Sequence, residues 1–181
     1  SESRKSLCLS LRDIMQILKQ KRTQALAIDE KLSGTVDVMR NIITQLNTFK
    51  AIAHYQNFQD RCILFTQIHQ QLIADVKTLS DLASAYDGDR KTLLDTELQQ
   101  LQTIQPQLLQ QRSRAYVIGM NLTNFCKKIE EIVVGDDLIT GIALQKLQDQ
   151  RNQFVNSQKM LLAEVDGIIE LLETLLNMKS F

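Results

Sequence analysis

His54 and His69, with Cys8, Cys62 and Cys126, are the side chains of this 181-residue chain best suited to metal binding or nucleophilic chemistry. A di-iron centre in a helical protein needs Glu-x-x-His on two helices plus further glutamates, because several carboxylates must offset the charge of two metal ions. Here Ala51 stands three residues before His54 and Thr66 three before His69, so that pattern is missing. His69 falls on an apolar face with no evident carboxylate or thiol beside it, which reads as a packed histidine rather than a base. The three cysteines are spread one to a segment without CxxC spacing. That argues against a disulfide framework or a zinc knuckle and for reduced, partly buried thiols.

Other patterns fail on single residues. Asp87-Gly88-Asp89-Arg90 looks like the start of a calcium loop, but Thr92 occupies the sixth position, where the sharp turn requires glycine. No HExxH, P-loop or GxGxxG pattern is present. Asn121-Leu122-Thr123 matches a glycosylation triplet but lies inside a helical pattern, with Leu122 on the apolar side. Lysines interleaved with aromatic residues, as base stacking requires, are absent. The reading is a non-enzymatic chain with no catalytic residues, no cofactor and no metal.

Composition gives the frame for such a chain. It is 44% hydrophobic and 23% charged, with 21 glutamines, six glycines and one proline. Helix formers abound and turn formers are few, so the expected fold is all-α in a single domain, 1–181, with few connections. A net charge of zero gives no reason to expect nucleic acid as a partner. No apolar run reaches the ~18 residues of a transmembrane span. The amino end lacks the apolar core of a signal peptide. A cytoplasmic location is expected, with a secreted bacterial protein left open.

Apolar residues recur at alternating spacings of four and three, the rhythm of a coiled-coil-like seam. One series runs from Leu7 through Leu11, Ile14, Leu18, Ala25, Ile28, Leu32 and Met39 to Ala53, and predicts a helix over about 6–53, with possible looseness at Ser33-Gly34-Thr35. A second, out of phase, runs through Phe58, Cys62, Phe65, His69, Leu72, Val76, Leu79 and Ala83 to Tyr86. It predicts a turn near 54–57, capped by Asn57, and a helix over about 57–86. Gly88 then reads as a left-handed cap and Asp89 as the next N-cap. The third helix, about 90–133, starts its seam at Leu94 and Leu98. Leu101 and Leu108 keep the seven-residue phase across Pro106, which predicts a helix kinked there rather than ended. Asp136 or Asp137 caps a fourth helix over about 138–178. The whole is an elongated, antiparallel, up-down-up-down four-helix bundle, its longer helices spanning roughly 60–70 Å.

Charge suggests how the outer helices pair. Arg12, Lys19 and Lys21 lie near one end of the chain and Glu164, Asp166 and Glu173 near the other. Setting Leu7 beside Met178 aligns Arg12 with Glu173, Lys19 with Asp166 and Lys21 with Glu164; the alternative is two solvated faces that never meet. Lys21, His69, Gln105, Arg112, Arg151 and Gln158 fall on or near the seams. They are a register-fixing polar layer, the lining of a ligand cavity, or side chains that reach solvent at helix crossings. The length of Arg and Gln favours the last.

Two stretches offer more than packing. Ile168, Ile169, Leu171, Leu172, Leu175 and Leu176 are enough to bury more than one helix face, and form the candidate surface for a partner helix or for self-association. Ile132, Val133, Val134, Leu138 and Ile139 make an apolar tip that either packs under its own helices or touches a membrane. An elongated bundle is a shape shared by scaffold proteins, helical toxins and receptor sensor domains, and shape does not fix function. A protein-binding scaffold module is the leading reading. A membrane-active toxin component and a ligand-sensing receptor domain are the alternatives, with membrane contact not favoured.

Overall fold

The computed structural model describes residues 10–46, 53–134 and 141–178. They form four helices: α1 (Leu11–Gln45), α2 (Ala53–Ala85), α3 (Asp95–Val134) and α4 (Gly141–Met178). No strand occurs among the described residues. Each helix packs on two neighbours, α1 on α2 and α4, α3 on α2 and α4, which closes a four-helix bundle. At 33 to 40 residues the helices are roughly 50–60 Å long, shorter than expected because the connections take more of the chain than the seams implied.

Where α4 meets α1 and α3, rising residue numbers on one helix meet falling numbers on the other. Lys21 reaches Glu164, while Thr35 and Val38 share a groove with Gln150 and Gln153. On the other side of the bundle Arg112 meets Asp166 and Glu130 meets Arg151. One continuous apolar core runs through all four helices, from Leu11 and Leu175 at one end to Ile43, Phe58 and Ile129 at the other. Every predicted seam residue of α2 from Phe58 to Ala83 is buried in it. Thr35, a break in the α1 seam, is buried as well, because its hydroxyl donates to the Leu32 carbonyl at 2.8 Å and needs no water.

Several boundaries differ from the sequence reading. Ser10 caps α1: its hydroxyl accepts from the Asp13 N–H while the Asp13 carboxylate accepts from the Ser10 N–H, a reciprocal capping box. The helix passes through Ser33-Gly34-Thr35 without a break and ends at Gln45. Asn57 is no cap, since α2 has already begun at Ala53. The expected caps Asp136 and Asp137 lie outside the described residues.

The start of α3 also moves. Asp89 does not cap it, and Gly88 does not adopt a left-handed conformation. Instead Glu97 organises the connection. Its carboxylate takes two hydrogen bonds from the Arg90 guanidinium, at 3.0 and 3.2 Å, and one from the Leu94 N–H at 3.1 Å. That satisfies an orphan amide of the first turn, so the helix begins at Asp95. Leu94 therefore precedes the helix and is exposed, and the seam starts at Leu98. Farther on, α3 is unbroken across Pro106. Both Pro106 and Gln102 are exposed, so water can satisfy the Gln102 carbonyl that the proline ring deprives of its partner.

Candidate functional site

His69 has the partner that the sequence did not reveal. Its Nδ1 lies 2.5 Å from Asp29 Oδ1 across the α1–α2 seam, and its ring stacks on Phe65 with centroids 5.3 Å apart. The pair borders a groove of about 360 Å³ lined also by Ser33, Asp37, Thr66 and Gln70. A carboxylate on Nδ1 is the arrangement that orients a histidine base toward a nucleophile. Here, however, Nε2 is itself buried and has no hydrogen-bond partner, so a molecule in the groove does not reach the nitrogen that would take its proton.

Of the remaining polar seam residues, Lys21 and Arg112 stay about a third exposed, in keeping with side chains that reach solvent, whereas Arg151 is more enclosed and Gln158 is buried. Arg112 on α3 binds Asp166 on α4 through Nε and Nη2, at 2.9 and 3.1 Å. Arg151 on α4 binds the buried Glu130 of α3 at 2.7 Å. Lys21 meets Glu164 at 3.1 Å, the one predicted pair of the three that forms. Lys19 loses Asp166 to Arg112, and Arg12 lies along Gly88 instead of pairing with Glu173. Gln158 is buried and donates to the Ala115 carbonyl at 2.9 Å, over the place where Gly119 has no side chain.

The thiols are equally enclosed. Burial pushes the Cys62 thiol up to about 11, against the pull of Arg40, and the Cys126 thiol up to about 12. Cys126 also contacts Met39 Sδ at 3.7 Å. Neutral thiols so placed are poor nucleophiles. Cys8 lies outside the described residues, and among those described no three His, Cys, Asp or Glu side chains converge as a metal site would need.

The apolar stretch of α4 is placed inside the bundle. Ile168, Ile169, Leu172 and Leu175 are buried in the bundle's own core, and Leu171 and Leu176 are half-buried against it. Of the apolar tip, Ile132 is exposed at the end of α3. Val133 and Val134 belong to the last turn of that helix, while Leu138 and Ile139 lie outside the described residues.

Among the described residues Val38, Ile63, Ile142 and Met160 are exposed apolar side chains on the other helices, but α3 carries several close together. Leu109, Tyr116, Val117 and Met120 are 43%, 46%, 52% and 48% exposed. They stand at i, i+7, i+8 and i+11, one stripe that lies about 100–160° round the helix from the seam of Leu108, Ala115 and Leu122. Arg112 stacks over the Tyr116 ring at 5.8 Å on the α4 side. On the other side the stripe drops into a shallow groove of about 290 Å³ between α3 and α2, lined by Leu64, Ile68, Ser113, Arg114, Val117 and Ile118. The sequence signal was present as a second apolar row one residue off the seam, and a reading tuned to one heptad phase passes over it. Another cavity of about 290 Å³ sits at the end of the bundle among Leu11, Leu93, Leu98, Leu175 and Met178, with Lys91 and Asp95 at its rim.

Fold and surface together define a helical bundle with an uncovered apolar helix face. The chain matches no family model, no curated protein and no solved structure. No helix among the described residues is long and apolar enough to cross a membrane.

Proposed function

We propose that this bundle is a non-enzymatic scaffold module that holds a protein partner against the outward face of α3. The observation that carries this reading is the row Leu109, Tyr116, Val117 and Met120, four large apolar side chains left to water on one helix. Isolated exposed leucines are ordinary, but a contiguous row at helical spacing beside a groove is how helix-binding surfaces are built. The enclosed histidine and thiols are consistent with a binding rather than a catalytic role. Two free buried cysteines fit a reducing compartment, the cytoplasm. Self-association is the special case in which the partner is a second copy, read out as a mass that grows with concentration.

The test places a photoreactive residue at Val117 and, as control, at the exposed Lys31 of α1. The reading expects a protein cross-linked from position 117 alone, and a reconstituted complex that Val117→Asp weakens at least ~10-fold. Equal cross-linking from both positions, or unchanged affinity in Val117→Asp, overturns it.

A further inference from the structure

The partner's chemistry is written in the charges around the stripe. Between Glu97 and Glu130, α3 carries Arg112, Arg114, Lys127 and Lys128 and no carboxylate. Facing it, α2 carries Arg61 and no acidic residue between Asp60 and Asp75. Asp75 itself is buried, and its carboxyl is held above the usual range by desolvation. Arg112 is neutralised by Asp166. Arg114, Lys127 and Lys128 are exposed, and Arg114 lines the groove. Along α3 itself and the facing stretch of α2 this apolar stripe is thus flanked by cations, while on the α4 side the carboxylate of Asp166 is taken up by Arg112.

Resting on the docking face proposed above, we infer that the occupant is an acidic amphipathic helix of a partner protein. Its apolar side lies along Leu109, Val117 and Met120 and its carboxylates face Arg114, Lys127 and Lys128. A helix fits better than a strand, because α3 bonds its backbone groups internally and offers no sheet edge to extend. Leu109 to Met120 spans roughly 16 Å, about three helical turns, and the furrow between α2 and α3 accepts the side-chain ridge of a third helix. Opposite charges at the rim speed the encounter and set the partner's direction more than they deepen affinity, so salt slows association first.

The probe is a hydrocarbon-stapled helical peptide with leucine on one face and glutamate on its flanks, compared with the same peptide carrying lysine. Binding is followed by anisotropy, and the methyl resonances of Leu109, Val117 and Met120 locate it. The glutamate peptide is expected to shift those methyls and to bind at least ~10-fold more tightly than the lysine peptide. Arg114→Glu is expected to erase most of that preference, and Val117→Asp to remove binding while the melting temperature holds. Equal binding of both peptides, lost in Val117→Asp, keeps the docking face and overturns the acidic partner. Shifts confined to other methyls overturn the docking face itself. Phosphatidylserine vesicles that displace the peptide and are lost with Val117→Asp overturn a protein partner in favour of a membrane surface.

Discussion

Gly119 and Gln158 show at residue scale how closely α3 and α4 approach. A Cβ on Gly119 would stand 2.6 Å from Gln158 Nε2, whose hydrogen bond to the Ala115 carbonyl leaves it little freedom to move. Glycine in mid-helix costs about 1 kcal/mol relative to alanine, so its presence here reflects lack of room. Gly119→Ala is expected to destabilise the wild type by about 1–2 kcal/mol, as the displaced amide is left buried and unpaired. In a Gln158→Ala background the same change is expected to stabilise by up to about 1 kcal/mol. Denaturant unfolding of the four proteins measures the coupling.

Asp75 carries the second residue-scale prediction. Burial raises its carboxyl above the usual value, although Gln71 donates to Oδ1 at 3.2 Å; Oδ2 is buried without a partner. The folded protein therefore holds this proton more tightly than the unfolded chain does. That contribution to stability is complete below the unfolded pKa and is lost as pH rises through the folded one. Asp75→Asn is expected to melt above the wild type near pH ~7, with the gap closing as the pH falls toward ~4. A gap that widens in acid contradicts the assignment.

At the scale of the element, the seam was the readable part. The phase of α2 places all eight predicted residues from Phe58 to Ala83 in the core, because a heptad repeat fixes which side of a helix faces inward. The unbroken passage through Pro106 was legible for the same reason. Partners across helices were not. Asp166 is on offer to Lys19 or to Arg112, and the choice depends on how far α4 is turned about its own axis, which spacing along one chain does not state. His69 is packed as read, but its partner was not legible: Asp29 is 40 positions away in the sequence and joins it only through the register of α1 against α2. The start of α3 was missed because Glu97, not a residue before the helix, satisfies the first-turn amide. Gly34 gives this scale its prediction. It sits in the middle of α1, and a methyl group added there would meet nothing within 4 Å, so Gly34→Ala is expected to raise stability by about 1 kcal/mol. A loss of stability in equilibrium unfolding would show that the glycine has a packing role.

For the whole molecule, the question is which apolar face is internal and which is spare. The chain has two leading candidates, the leucine-rich end of α4 and the outward row of α3. By composition alone the end of α4 reads as the docking surface, and the row on α3 emerges only from the fold. The fold separates them: Leu172 is fully enclosed, while Val117 is about half exposed. A carboxylate at an enclosed site costs several kcal/mol, whereas one on an open face changes stability by about 0.5 kcal/mol or less. The most direct test is the thermal melt of Leu172→Asp beside that of Val117→Asp. The account predicts that Leu172→Asp loses its cooperative transition and that Val117→Asp melts as the wild type does. The reverse order would mean that the row on α3 is part of the core and that the end of α4 is the free surface.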